Sequence, residues 1–207
     1  MMFITFEGID FSGKSTQCQL LGEFLTGRGF EIVLLREPGG TDVSERIRQL
    51  LLDRNTSGMW SLTELFLYSA ARAQLVEEIM RPALKAGKSV ICDRYFDSSI
   101  AYQGGGRGID IADIEAVNRI ATGGLTPDLT IIIDIGIETS LHRLKSAGKS
   151  TDRIEAEGFE FFARIRAAYL QLATRQKSRF KVVNGDDDIH IIERRVRDIV
   201  IEHFKLK

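Results

Sequence analysis

Apolar positions along this chain keep two rhythms. Phe3 to Phe6 is a short apolar, β-branched run closing on Glu7-Gly8; after a glycine-rich turn an amphipathic pattern runs from Lys14 to about Arg28. That order predicts strand, loop, helix. A second run, Ile32 to Leu35, stops at Glu37-Pro38-Gly39-Gly40, where proline lacks an N–H and glycine accepts positive φ. From Ser61 to Leu84, Leu65, Leu67, Tyr68, Ala71, Leu75, Val76 and Ile79 recur at helical spacing, predicting one long helix that leads into the strand Ser89 to Cys92. Leu129 to Ile135 reads as the most apolar strand and Phe180 to Val183 as a fifth. Helices are predicted over Ile111 to Ala121, Thr139 to Ala147, Phe159 to Gln176 and Ile189 to Phe204. Such alternation favours right-handed βαβ crossovers: an α/β fold with a five-stranded parallel sheet, helices on both faces, and ligand sites beyond the carboxyl ends of the strands.

Composition narrows this reading without changing it. At 207 residues, 43% hydrophobic and 28% charged, the chain suits one domain over residues 1–207 with a real core, and no repeat or linker divides it. Lysine plus arginine number 28 against 29 acidic residues, so no global field draws the chain to nucleic acid or an anionic membrane, and any polyanion must be bound locally. Cys18 and Cys92 stand far apart without a CxxC pattern, as expected of buried thiols in a reducing compartment. No apolar run reaches membrane-span length and no basic leader precedes Phe3, so a cytoplasmic location is expected.

The candidate chemistry starts at Gly8-Ile9-Asp10-Phe11-Ser12-Gly13-Lys14-Ser15, which matches GxxxxGK[ST] directly after a strand and at the opening of a helix. Backbone N–H groups of such a loop converge on phosphate oxygens, the helix N-terminus adds about half a positive charge, and the lysine reaches the β and γ phosphates. Ser15 is then placed to hold Mg²⁺. A carboxylate closing a strand beside this loop is expected to share the metal, directly or through water; Asp93 is the first choice and Asp134 its competitor. Arg94, next in sequence, is expected to bind a second phosphate. His142, His190 and His203 lie in helical patterns and read as surface residues.

Phe6-Glu7-Gly8-Ile9-Asp10 and the phosphate loop, with Arg36-Glu37-Pro38-Gly39-Gly40-Thr41, Ala71-Arg72, Asp93-Arg94-Tyr95, Ala101 to Gly108 and Asp152-Arg153-Ile154-Glu155, resemble the bacterial thymidylate kinases, in that family's order and over most of the chain. The resemblance implies transfer of the ATP γ-phosphoryl group to dTMP, giving dTDP and ADP, by a Mg²⁺-dependent homodimer. It places ATP against Gly8 through Ser15, Thr16 and Arg143. It places dTMP against Asp10, Glu37, Pro38, Tyr68, Arg72, Arg94, Ser99, Tyr102 and Gln103. Tyr68 and Arg72 are four apart on a helix, so ring and guanidinium share a face; an arginine donor suits thymine O4 and opposes the amino group of cytosine. Arg94 corresponds to the family's grip on the acceptor phosphate and Tyr102 to the ring that crowds the sugar 2′ position. Asp10 is expected to point outward, to the sugar 3′-hydroxyl or metal-bound water, because a carboxylate repels phosphate. A basic stretch at about 143–155 resembles the family's lid, with Arg153 the first choice for the transferring phosphoryl group and Lys149 the second; Lys145 is a further lysine there.

Two positions depart from the family: Tyr68 stands where phenylalanine is usual, and Phe11 where a small residue is common. Gly104 to Gly108 reads equally as an anion-binding backbone loop or a flexible connector. The rival functions are another P-loop nucleotide or deoxynucleoside kinase, and a non-catalytic nucleotide-binding switch.

Overall fold

The computed structural model describes residues 1–206 except 57, 147, 149 and 150. Five parallel strands, β1 (Phe3–Glu7), β2 (Ile32–Arg36), β3 (Ser89–Asp93), β4 (Leu129–Asp134) and β5 (Phe180–Asn184), form one sheet in the order β2-β3-β1-β4-β5. The most apolar strands occupy the middle: β1 is buried at all five residues, between β3 (Thr5 opposite Cys92) and β4 (Thr5 opposite Thr130). β1 also shows the period of two. Ile4 and Phe6 join a core with Leu21 and Leu25 of α1 (Lys14–Gly27) and Val196 and Val200 of α9 (Ile189–Phe204). Phe3 faces the other way, with Leu75, Met80 and Tyr95. Helices therefore cover both faces, and the loop after β1 opens at the point where strand order reverses, the place where ligands bind in open parallel sheets.

The remaining helices are α2 (Asp42–Leu52), α3 (Ser61–Leu75), α4 (Arg81–Lys85), α5 (Phe96–Ser99), α6 (Ile111–Thr122), α7 (Ile137–Ser146) and α8 (Phe159–Arg175). Several elements differ from the sequence expectation. The single helix predicted from Ser61 to Leu84 contains a π-helical turn, Val76–Met80, between α3 and α4. Pro82 sits in the first turn of α4, and its missing N–H disturbs the regular ladder just there. Helix α2 was not predicted at all; it starts where Thr41 Oγ1 accepts from Ser44 N (3.1 Å), with Asp42 and Glu45 in its first turn. The glycines at 104–106 belong to neither kind of loop. They end a π-helical segment, Ile100–Gly106, packed on α6 and α8. A Cβ added at Gly105 would lie 2.8 Å from Ala168 Cβ, and one at Gly106 2.6 Å from the Phe161 ring. The glycines let two backbones approach, which requires no mobility.

Candidate active site

The loop between β1 and α1 curls tightly with two glycines at positive φ, Gly8 at 138° and Gly13 at 96°. At Gly8 a Cβ would come within 2.4 Å of Ile133 O, so only glycine lets this loop lie against the end of β4. Phe11 also has positive φ (60°), a conformation that costs a non-glycine residue about 1–2 kcal/mol. Lys14 is buried, with Nζ donating to Ile9 O (2.8 Å) and Ser12 Oγ (3.3 Å). Burial, and after it the like charge of Arg94, brings its pKa down to about 8.

β3 runs beside β1 and delivers Asp93 and Arg94 to the same edge. Ser15 Oγ donates to Asp93 Oδ2, while Asp93 Oδ1 is buried with no partner among the described residues. Asp134, the competing carboxylate, is taken by Arg166 of α8 (2.6 and 2.8 Å). Ser15 and Asp93 thus present hard oxygen donors at the mouth of the phosphate loop, which suits a divalent cation that keeps waters and shares substrate phosphates. Arg94, at φ 71°, turns its guanidinium into the cleft. Nη1 reaches Gly8 O (3.0 Å), Tyr169 OH (3.2 Å) and Ser98 Oγ (3.3 Å); Nη2 reaches Asp10 Oδ1 (2.7 Å) and Tyr102 OH (2.9 Å).

Asp10 is accordingly held at Arg94 and Tyr102. Burial opposes its charge, but Arg94, Lys14 and the Tyr102 hydroxyl outweigh burial and hold the carboxyl below its usual pKa. Its charge is matched, which resolves the difficulty of a carboxylate in a phosphate cradle. Beneath them Glu7, fully buried, accepts from Tyr95 N (2.8 Å), Ser98 Oγ (2.6 Å) and Tyr169 OH (2.7 Å). Burial first, then the charge of Asp97, pushes its pKa up to about 7.

Two adjoining clefts open on this centre. One is lined by Phe11, Gly13, Lys14, Ser15, Thr16, Asp93 and Arg143. The other holds Pro38, Tyr68, Arg72, Ser99, Tyr102 and Gln103, with about 600 Å³ of empty space including its mouth. Asp10, Glu37, Arg48, Arg94 and Glu155 line both. In the second cleft Arg72 is buried and spends four of its five N–H donors: Nε on Glu37 (2.7 Å), Nη1 on Asn118 (2.9 Å) and Ser99 (3.1 Å), and Nη2 on Tyr95 O (3.3 Å). One donor is left to offer. Among the described residues only one oxygen of Glu37 is engaged; Oε1 is buried without a partner there, and burial outweighs Arg72 to push the carboxyl up to about 7.

The phosphate loop, expected by the sequence reading in one place, is continuous in space with the Asp93-Arg94 corner and the Tyr68-Arg72 face. The basic stretch at 143–155 divides. Arg143 lies on α7, donating to Phe11 O (3.1 Å), Ser12 O (3.4 Å) and Gly185 O (3.0 Å), so it braces the phosphate loop from outside. Lys145 is exposed, and Lys149 lies outside the described residues. Arg153 lines neither cleft: Nε donates to Leu51 O (2.8 Å) and Nη1 pairs with Glu64 (2.7 Å). That pairing instead fastens Asp152, Ile154 and Glu155 against the second cleft.

A family model described as thymidylate kinase matches residues 6–196. The chain belongs to the thymidylate kinase family. Relatives of that name include one from Pelotomaculum thermopropionicum, 50% identical over 183 residues (88% of this chain and 85% of that one). Another, from Pelobacter propionicus, is 45% identical over 206 residues (97% and 94%). Among solved structures, the thymidylate kinase of Ehrlichia chaffeensis superposes with a TM-score of 0.78 at 36% identity, covering 96% of this chain and 98% of that one. Within this thymidylate kinase fold, several cleft residues lie outside the sequence reading. Arg48, on the unpredicted α2, donates to Pro38 O (2.9 Å) and lines both clefts. The Thr41 cap with Asp42 and Glu45 was its available signal. Leu52 completes the second cleft together with Asp152, Ile154 and Glu155, which the sequence reading placed in a family-like block without giving them a site role. Tyr169 had no local signal, since its meeting with Glu7 spans 162 residues.

Proposed function

We propose that the chain transfers the γ-phosphoryl group of ATP to dTMP, giving dTDP and ADP. The observation that carries the reading is the shared boundary: a phosphate-loop cleft and a base-sized cleft meet at Asp10, Glu37, Arg48, Arg94 and Glu155, so two phosphorylated ligands lie end to end. ATP takes the first cleft. Backbone N–H groups from Gly8 to Thr16 and the N-terminus of α1 receive its phosphates, Lys14 supplies the mobile charge, and Arg143 adds a cation beside Phe11 and Ser12. dTMP takes the second, its base against Tyr68 and Arg72 with Ser99 and Gln103 around it, Pro38 and Tyr102 closing on the sugar, and its phosphate at Arg94 and Arg48.

Catalysis in this reading is alignment and neutralisation. The acceptor phosphate is already anionic near neutral pH, so no histidine or carboxylate has to remove a proton before attack. Lys14 and Arg94 flank the line of transfer. Arg94 is held rigid by Gly8 O, Asp10 and three hydroxyls, so its charge is oriented before substrate arrives. Ser15 and Asp93, with its unpartnered Oδ1, would hold Mg²⁺, which supplies charge neutralisation across the donor phosphates. Lid residues at about 143–155 contribute Arg143 to the donor side and, through Arg153, fasten the wall that carries Glu155. Lys149 is retained as a lid cation at the transferring group.

The same reading includes a single-domain subunit, a homodimer and a cytoplasmic setting. Exposed Leu50 on α2, and Leu62 and Phe66 (52% exposed) on α3, lie on helices that pack together, which favours a second copy as cover. Cys18 and Cys92 are free and buried, and among the described residues no helix is long and apolar enough to cross a membrane. The test is a coupled ADP-release assay with Mg²⁺ and a panel of dTMP, dUMP, CMP, AMP and thymidine. dTMP is expected to give the fastest release. Preference for CMP, AMP or thymidine assigns a different kinase, and no acceptor-dependent ADP assigns a nucleotide-binding switch.

A further inference from the structure

Glu64 sits in the first turn of α3, one and two helical turns ahead of Tyr68 and Arg72, so the three share a face at i, i+4 and i+8. Unlike the other two it does not line the base cleft; it is buried, 1% exposed, behind it. Its carboxylate accepts from Gln103 Nε2 (3.0 Å), from Arg107 Nε and Nη2 (3.2 Å each) and from Arg153 Nη1 (2.7 Å). Burial opposes its ionisation, but the donors of Gln103, Arg107 and Arg153 outweigh burial and keep the pKa below the ordinary carboxylate range.

An ionised carboxylate has no hydrogen to give. The end of the Gln103 amide that meets Glu64 must be its NH₂, and the end left for the cleft that Gln103 lines is its carbonyl oxygen. Arg72, whose other donors are spent on Glu37, Ser99, Asn118 and Tyr95, offers an N–H to the same cleft. The wall therefore presents an acceptor and a donor.

We propose that Glu64 is a specificity-positioning residue: it fixes the Gln103 amide with its carbonyl toward the cleft, and so selects a pyrimidine that carries N–H at position 3 against one that carries a lone pair there. The inference rests on the cleft being the acceptor-base site. Thymine has the N3–H and a neighbouring carbonyl, which match the pair Gln103 carbonyl and Arg72 donor; cytosine has a lone pair and an amino group, which oppose both. A site built to pair polar groups discriminates strongly because the wrong base leaves them buried and unpaired.

The experiment measures kcat/KM for dTMP and dCMP, with ATP saturating, in the parent, Glu64→Gln, Gln103→Leu and the double variant. Glutamine at position 64 both donates and accepts, so the Gln103 amide loses its fixed direction. The dTMP:dCMP ratio is expected to fall about tenfold in Glu64→Gln. Glu64→Gln is expected to lower the ratio no further in the Gln103→Leu background, because the effect travels through that amide. A carboxylate that only holds Arg107 and Arg153 in place would lower both substrates by one factor, and a parental ratio in folded Glu64→Gln overturns the proposal. If Glu64→Gln does not fold, Gln103→Leu, which leaves Glu64 its two arginines, decides alone: a reduced ratio supports the proposal and a parental ratio overturns it. Failure of the substrate reading shows separately, as a parent protein that releases no ADP in response to dTMP.

Discussion

Replacing Arg72 with methionine separates what this residue does for the fold from what it does for the substrate. Its guanidinium and the Glu37 carboxylate are a buried pair, 2% and 4% exposed, at 2.7 Å. Methionine fills much of the same space but leaves Glu37, whose Oε1 already lacks a partner, without its remaining side-chain contact. Removing one member of a buried ion pair costs about 3–5 kcal/mol. In a chain of this size that corresponds to a melting temperature lower by roughly 6–20 °C. The loss depends on pH in a definite direction. Glu37 is already pushed up to about 7, and losing Arg72 raises it further, so at and below that pH the stranded carboxyl takes a proton and the loss lies at the small end; well above it the charge stays and the loss grows. Replacing Glu37 by methionine as well removes the stranded group, and most of the stability is expected to return. Recognition is not expected to return with it. Losing a charged donor to the base raises the dTMP KM by about 10–150-fold, with the ATP KM unchanged, in both the single and the double variant. Calorimetry reads the first quantity and ADP-release kinetics the second. A single variant whose dTMP KM equals that of the parent, or whose dTMP and ATP KM rise by the same factor, refutes base recognition by Arg72.

Lys14→Ala and Arg94→Ala are each expected to lower kcat/KM by at least about 10²–10³, since Lys14 lines the phosphate-loop cleft and Arg94 lines both clefts; Arg94→Ala is also expected to lower the melting temperature, because it strands Asp10, and parental kcat/KM in either purified variant contradicts that placement. Stability should fall as pH rises from about 5.5 to 8. Glu7 and Glu37 are both pushed up to about 7, so the folded state binds protons more readily than the unfolded chain between about 4.5 and 7. The stabilising contribution is complete below the unfolded value and lost as pH climbs through the folded one, at most about 3 kcal/mol for each group. Urea unfolding across that range checks it, with a shallower slope expected in Glu37→Gln; identical flat profiles in parent and variant contradict it.

What was readable in the chain divides by how far apart the interacting residues lie. The phosphate loop was legible because its geometry is made by consecutive residues, Gly8 to Ser15, between a strand and a helix that carry their own periodicity. The sheet was legible for a similar reason: its middle strands are apolar runs that have to be covered on both sides. Helix α2 went unread although Val43, Ile47, Leu50 and Leu51 recur at helical spacing behind the Thr41 cap; Val43 and Leu50 of that stripe stay exposed and only Ser44 and Leu51 of the helix's eleven residues are buried, and passing over the helix hid Arg48 with it. The glycines at 104–106 carried a true signal, of a close approach, but composition does not distinguish a backbone packed on Phe161 and Ala168 from one left loose.

Arg153 makes the same distinction in the charged residues. Its basic neighbours suggested a cation reaching for phosphate, and its aspartate-arginine-isoleucine-glutamate setting gave no hint of a carboxylate 89 positions upstream. Helical spacing placed Glu64 on the same face as Tyr68 and Arg72, yet spacing cannot say that the start of this face is roofed by Gln103, Arg107 and Arg153. An arginine ends up on phosphate or on protein according to which buried anion the fold brings to it. Here two buried carboxylates, Glu37 and Glu64, hold Arg72, Arg107 and Arg153 as the frame of the cleft, while Asp10 holds Arg94 at its centre. Arg72 and Arg94 face substrate with those carboxylates behind them, whereas three other cleft cations among the described residues rest on neutral partners: Lys14 on a carbonyl and a hydroxyl, Arg48 on a carbonyl, and Arg143 on three carbonyls.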